Sequence, residues 1–201
     1  MPLHPAIADS AFGENGNTLV YRADDVDFSR YRAIAVLPTV VYDGADAEWG
    51  GTSPQERADL ARQVTADFTQ ALRANGHLAS RSGPGVVNLQ LTLAGISATH
   101  PVASLTRLTP VGLGLSLVKT AEGSAAAFTG SITLAGKLTD AKSGQVLGGF
   151  LTKESPNALD LRSAAGTMTT AGLAATKAAD DFARAVDRVE ARLRAERTAA
   201  H

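Results

Sequence analysis

Cysteine does not occur in this 201-residue sequence. Its absence excludes disulfide bonds, thiolate nucleophiles, iron–sulfur clusters and cysteine-based zinc sites. Long apolar runs are also missing, and no stretch approaches the ~20 residues that a membrane-spanning helix needs. Positive charge is not in excess either, because the formal net charge is −1, whereas nucleic-acid-binding proteins present a basic excess or patch. The sequence therefore predicts no transmembrane segment and no nucleic-acid partner.

Aromatic residues are scarce, at 5% of the chain. Hydrophobic residues nevertheless make up 44% and charged residues only 19%, a balance typical of a packed globular domain and not of a disordered chain. The core must therefore be built mainly from Val, Leu, Ile and Ala. The length suits one domain, and we expect a flexible N-terminal leader over residues 1–18 followed by a single domain over residues 19–198.

Two amphipathic helices are the clearest predicted elements. The first is expected at about 54–75, where Ser53 and Glu56 match a capping box and Gly76 supplies a stop signal. Apolar side chains recur along one of its faces at Leu60, Val64, Phe68 and Leu72. The second helix is expected at about 170–196, with an apolar stripe and with acidic and basic residues mixed on its other faces. A basic helix that binds nucleic acid would lack those acidic residues.

Hydrophobic alternation predicts the strands. Apolar residues occupy every second position from Val87 to Leu93, which is typical of a strand with one buried face. A strand at 33–41 carries apolar residues on both faces, which predicts cover from both sides, while Pro38 indicates a bulge or a sheet edge. A polar turn between two apolar runs predicts a β-hairpin at about 128–153. We therefore predict an α+β fold, with a small, mostly antiparallel sheet and both helices packed on one face.

The pair Gly136-Lys137 in this hairpin invites comparison with a phosphate-binding loop. That loop requires G-x-x-x-x-G-K-[ST] and a helix directly after it. Here Gly130 is one residue too far from Gly136, Leu138 follows the lysine, and a turn follows the strand. We interpret Lys137 as a strand residue that faces solvent.

Four parts of the chain resemble, in their order, a family of small uncharacterised bacterial lipoproteins that is catalogued as a domain of unknown function. They are LVYRADDVDFSRYRAIAVLPTVVY, the capped helix, SGPGVVNLQLTLAGI and GKLTDAKSGQVLGGFLTK. The most telling residues are Tyr31, the Pro84-Gly85 pair before the long strand, and the Asp-x-x-x-Gly turn that begins at Asp140.

The resemblance implies an α+β domain that is exported to the cell envelope. It implies a periplasmic location, anchoring to the outer membrane through an N-terminal lipid, and a role in binding another envelope protein or a cell-wall component. The acylated cysteine that would carry the lipid does not occur in this sequence, so the anchor is implied by the resemblance alone.

Three residues are the candidate contact groups. Tyr42 and Trp49 lie in or beside a Gly- and Asp-rich loop, and Trp49 is the only tryptophan; aromatic side chains in loops are favoured at contact surfaces. The alternative is that Trp49 folds back and covers the start of the first helix. Arg107 lies in the irregular stretch 100–123, the second predicted contact region, since long loops in compact domains are often functional.

No metal motif accompanies these residues. The four histidines are far apart and none belongs to an H-E-x-x-H pattern. Asp24, Asp25 and Asp27 lie close together but lack the further oxygen ligands of a calcium loop. We therefore expect no metal and no cofactor.

Two function classes remain open from the sequence. The first is a non-enzymatic binding domain, which we favour. The second is a hydrolase whose site assembles only in three dimensions, from Asp43, Asp46 or Glu48 together with His100. A deep cleft with convergent carboxylates and a histidine would favour the hydrolase.

Overall fold

A mixed six-stranded sheet organises the molecule. The computed structural model describes residues 18–23, 26–45, 47–97, 131–156 and 167–199. In chain order the elements are β1 (Thr18–Arg22), a 3-10 helix (Phe28–Arg30), β2 (Ala33–Val36), β3 (Val40–Val41), α1 (Pro54–Ala74), β4 (Val86–Ser97), β5 (Ser131–Asp140), β6 (Val146–Glu154) and α2 (Thr167–Ala199).

The strand order is β1-β6-β5-β4-β2, and β3 also pairs with β4. The pairs β1–β6, β6–β5 and β5–β4 are antiparallel, whereas β2 and β3 run parallel to β4. A parallel pair needs a long crossover, and α1 provides it between β3 and β4. The predicted α+β class, the mostly antiparallel sheet and the hairpin are confirmed.

The first helix begins as its sequence predicts. The side chain of Ser53 accepts a hydrogen bond from the Glu56 N–H, and the Glu56 carboxylate accepts one from the Ser53 N–H at 2.7 Å. Both bonds of the capping box are therefore present. After Ala74, Asn75 caps the helix and Gly76 adopts a φ of +76°, in the left-handed region that favours glycine.

The second helix extends beyond the predicted 170–196 at both ends. Its buried face is lined mainly by alanine, with Gly172 among the buried positions. A Cβ atom at Gly172 would lie 2.9 Å from Nε2 of Gln63 on α1. Small side chains on this face therefore let α2 pack closely against α1.

Three phenylalanine rings lie together where the helices meet the sheet. The Phe182 ring of α2 lies between Phe68 of α1 and Phe150 of β6, with centroid distances of 5.6 and 5.3 Å. Gly136 pairs with Phe150 across the sheet, and a Cβ atom at Gly136 would collide with the Phe150 ring. Both helices pack on this face, as predicted, and their apolar residues join those of the strands in one core.

The segment 33–41 differs from its prediction in two respects. It forms two short strands, β2 and β3, because residues 37–39 leave the strand geometry around Pro38. Both strands lie at the edge of the sheet, so the edge position indicated by Pro38 is confirmed. The prediction that both faces of this segment are covered is wrong for Val40, whose side chain is 51% exposed.

The chain also joins the sheet earlier than expected from its sequence. Thr18, placed in the leader by the sequence, is the first residue of β1 and pairs with Thr152 of β6. Its hydroxyl lies 2.8 Å from the Thr152 hydroxyl, and both threonines are buried. Lys137 is exposed on β5, in agreement with its interpretation as a solvent-facing strand residue.

The residues that carry the family resemblance meet at one end of the sheet. We call this the turn end, defined by Tyr31, Gly85 and the turn 140–145. The Tyr31 hydroxyl donates to Oδ2 of Asp140 at 3.0 Å, and Oδ1 of Asp140 accepts the N–H groups of Ser143 and Lys142. These bonds, the Ser143 bonds foremost, lower the pKa of Asp140 to about 2. The telling residues therefore stabilise a turn.

Candidate functional site

The opposite end of the sheet is where the chain repeatedly enters and leaves. We call it the loop end, defined by Thr18, Ser97, Ser131 and Glu154. At this end β1 and β5 begin while β4 and β6 finish, as the pairs Ser97–Ser131 and Ile132–Glu154 show. Because β4 has 12 residues, the two ends lie roughly 35 Å apart along it. Two strands therefore begin and two strands finish at this one end of the sheet.

The loop 42–52 is tied to the same end. The Tyr42 N–H donates to the Leu93 carbonyl at 2.9 Å, and the Ile96 N–H donates to the Glu48 carbonyl at 2.8 Å. Glu48 also forms a parallel bridge with Gly95. A Cβ atom at Gly95 would lie 2.8 Å from the Glu48 carbonyl oxygen, so this close approach requires glycine.

Trp49 is buried within this loop, at 9% exposure. The Arg57 guanidinium lies 4.8 Å from the centre of its indole, a cation–π geometry. The Trp49 carbonyl accepts the Thr52 hydroxyl at 2.6 Å, and Arg57 donates in turn to Thr52. The side chain therefore packs against the start of α1, the arrangement named above as the alternative. Its role in contacts stays a prediction.

The structure describes Tyr42, one of the other two predicted contact residues, but not Arg107. Tyr42 is half-buried, and its ring lies so close to Gly44 that a Cβ atom there would collide with it. Arg107 lies outside the described residues. So do Asp46 and His100, two of the four residues of the hydrolase hypothesis. The remaining two, Asp43 and Glu48, are both exposed.

A buried polar network underlies the loop end. The Thr152 hydroxyl donates to Oε1 of Glu154 at 2.9 Å, and Lys177 of α2 donates to Oε2 of Glu154 at 2.9 Å and to Asp181 at 2.6 Å. Thr18 completes the network through Thr152. Burial alone would lower the pKa of Lys177, but its bonds to Asp181 and Glu154 outweigh burial and raise that pKa.

This network was not predicted from the sequence. The Lys177 ammonium forms an ionic tie to Glu154 and Asp181. The tie joins the first third of α2 to the last residue of β6. Only the spacing of Thr152 and Glu154 on one strand face could have indicated the site.

His77 is a second polar residue that the sequence placed in a loop. It is buried, and its Nε2 lies 2.6 Å from Asp187 while its Nδ1 lies 3.3 Å from Glu190. These contacts join the end of α1 to α2. Within the described part of the chain, no group of three or more His, Asp or Glu side chains is arranged to hold a metal ion. None of the helices described there is long and apolar enough to cross a membrane.

Comparison with known proteins identifies a family. Residues 8–182 match the family described as "Protein of unknown function (DUF3313)", and no curated protein matches. Similar solved structures include a PelC dodecamer from Paraburkholderia phytofirmans, with 11% identity and a TM-score of 0.42 over 82% of this chain and 94% of that chain. Another is a DUF4136 family protein from Bacteroides thetaiotaomicron, with 14% identity and a TM-score of 0.38 over 84% and 97% of the two chains.

At these TM-scores, neither structure supports an inference about function or assembly. The family match is different in kind, because it spans most of the chain. It confirms the predicted domain of unknown function, and this protein belongs to the DUF3313 family.

Proposed function

We propose that this protein is a non-enzymatic binding domain of the bacterial cell envelope, exported and lipid-anchored, whose loop end contacts another envelope protein or a cell-wall component. The observation that carries the binding role is the convergence of chain segments at that end. Loops presented by a rigid scaffold are the usual location of binding residues. Here the scaffold is the sheet, and the 42–52 loop lies at its loop end together with the residues at which β1 and β5 begin and β4 and β6 finish.

The described residues of the 42–52 loop are also held against the sheet. Its backbone is bonded to β4 at Tyr42 and Glu48, and the Arg57 guanidinium packs on Trp49 beneath it. A loop already held in place loses less conformational entropy when a partner binds. In this proposal Tyr42 and Arg107 contact the partner, while Trp49 supports the loop from below.

The envelope location is supported by the family resemblance of the sequence. Its test is the mass of the native N-terminus, measured in cell fractions of the source organism. A lipid-modified or signal-cleaved terminus in the envelope fraction is the expected result. An unprocessed terminus in the cytosolic fraction would contradict export and anchoring together, and it would favour the hydrolase hypothesis.

Site-specific photo-crosslinking in cells tests the binding role separately. A crosslinking residue at Asp43, exposed in the 42–52 loop, samples the loop end; the same residue at Lys142, exposed in the hairpin turn, is the matched control at the turn end. We expect a discrete adduct from position 43 and none of the same mass from position 142. Equal adducts from both positions, or an adduct from position 142 alone, would overturn the assignment of the loop end.

A further inference from the structure

An open groove lies along the outer edge of β2, away from the loop end. Its volume is about 720 Å³. Three parts of the chain line it: β2 through Val36, the last turns of α1 through Thr69 and Arg73, and the segment after α1 through Ser80 and Arg81. We call this the edge groove.

The backbone of Val36 faces the edge groove. Ile34 directs its N–H to the His77 carbonyl and its carbonyl to the Ala79 N–H, both at 2.8 Å, on the side away from β4. Backbone groups alternate sides along a parallel strand, and the Leu37 N–H bonds back to β4 at Leu89. Val36 therefore points its N–H and carbonyl outward, and within the described residues neither has a hydrogen-bond partner.

The pairing of β2 with the segment that follows α1 ends before Val36, because that segment bends away at Ser80. Beyond Val36, Pro38 has no N–H, and its carbonyl already accepts the Gln90 side chain at 2.7 Å. The edge groove thus offers one free donor and one free acceptor of β-strand type. That is enough for a short extended segment and too little for a long added strand.

The charges of the groove have one sign. Arg73 and Arg81 are both exposed, and no acidic residue is among the residues that line the groove. Within the described part of the chain, neither arginine forms an ion pair. Guanidinium groups bind carboxylates in planar, two-point geometry.

We propose that the edge groove binds a short extended peptide segment with carboxylate side chains. Its backbone bonds to the N–H and carbonyl of Val36, and its carboxylates pair with Arg73 and Arg81. The backbone pair distinguishes a peptide from a small anion, because an inorganic anion has no N–H group to donate to the Val36 carbonyl. This surface is separate from the loop end and does not depend on the function proposed there.

The test is a titration of the full chain with a fluorescein-labelled peptide of alternating valine and glutamate. Fluorescence anisotropy measures affinity, and the amide resonance of Val36 reports backbone contact by NMR. We expect saturable binding that falls at least tenfold in Arg73→Gln/Arg81→Gln, since two charge-assisted contacts are lost. The matched control is Lys137→Gln/Lys142→Gln, which removes the same charge from exposed lysines of the β5–β6 hairpin.

Each alternative outcome overturns the proposal. Absence of saturable binding, equal binding of a valine–lysine peptide, or equal weakening in the lysine control would show that no specific acidic-peptide site exists. Complete displacement by inorganic phosphate, with the Val36 amide resonance unchanged throughout, would show a small-anion site. All four substituted side chains are exposed, so a thermal unfolding curve like that of the unsubstituted protein is expected and confirms that the variants are folded.

Discussion

The two ends of the sheet are held together by contacts of different range. At the turn end, Asp140 bonds to residues two and three positions later in the chain, and only Tyr31 comes from far away. At the loop end, the Thr18–Thr152 bond joins residues 134 positions apart. Local turn chemistry therefore shapes the turn at Asp140, and bonds such as the one from the Ala141 N–H to the Val86 carbonyl join that turn to the rest of the sheet. At the loop end, the buried side-chain bonds Thr18–Thr152 and Lys177–Glu154 both join distant segments. We therefore expect a single change to loosen the loop end more than the turn end.

The largest loss of stability is expected from Lys177→Met at the loop end. The substitution removes the ammonium and leaves the buried Glu154 carboxylate with only the Thr152 hydroxyl. An uncompensated buried charge is strongly destabilising, and we expect the free energy of unfolding to fall by about 2–4 kcal/mol. Urea denaturation at pH 7 measures the change.

Arg184→Met is its matched control, because Arg184 pairs with the same Asp181 but is exposed. An exposed ion pair contributes at most about 1 kcal/mol. The double variant Glu154→Met/Lys177→Met removes both buried charges and should recover most of the loss. If Lys177→Met destabilises no more than Arg184→Met, the buried tie is not what holds the loop end.

A smaller effect is expected from Gly95→Ala. The new methyl group would lie 2.8 Å from the Glu48 carbonyl oxygen and push the 42–52 loop from β4, at a cost of about 1–2 kcal/mol. Trp49 is the only tryptophan, so its fluorescence should shift to longer wavelength as the indole becomes more exposed. Gly83→Ala, where nothing lies within 4 Å of the new atom, should leave both stability and emission near their original values.

The smallest effect is expected at the turn end, from Tyr31→Phe. Loss of the hydroxyl bond to Asp140 should lower the free energy of unfolding by about 0.5–1 kcal/mol.

The substitution Asp140→Asn tests the same turn through the pH dependence of stability. The pKa of Asp140 is lowered to about 2 when folded and is ~3.9 when unfolded, so its ionised form stabilises the fold above pH ~4 and this contribution disappears as pH falls to about 2.

Denaturation curves at several pH values measure that dependence. The stability difference between the unsubstituted protein and Asp140→Asn should be constant above pH ~5 and shrink below pH ~4. A difference that does not change between pH 7 and pH 2 would contradict the assigned bonds of the turn.

The elements predicted well from the sequence are those whose signals are local. Ser53 and Glu56 lie within one turn of α1, the alternation from Val87 to Leu93 lies within one strand, and the hairpin carries its own turn. Each pattern depends on neighbours only a few residues away, and the structure confirms each of them. Pro38 likewise marked the sheet edge through its missing N–H.

The features that were missed depend on distant partners. β1 has only 5 residues, and its partner β6 lies more than a hundred residues further along. His77 follows a helix stop and reads as a loop residue, yet it meets Asp187 of α2, 110 positions away. The position of Trp49 was open for the same reason: the sequence does not show that Arg57 covers its ring.

The distant partner of β1 also affects the order in which the protein folds during synthesis. Thr18 leaves the ribosome 134 residues before Thr152, which at ~5–20 residues per second is roughly 7–27 s. Throughout that interval the hydrogen-bonding groups of β1 have no strand to pair with, while α1, β4 and β5 emerge and can begin to pack. β1 is therefore the last-joining strand of the sheet although it is made first, and a chaperone that holds the nascent chain would find it free.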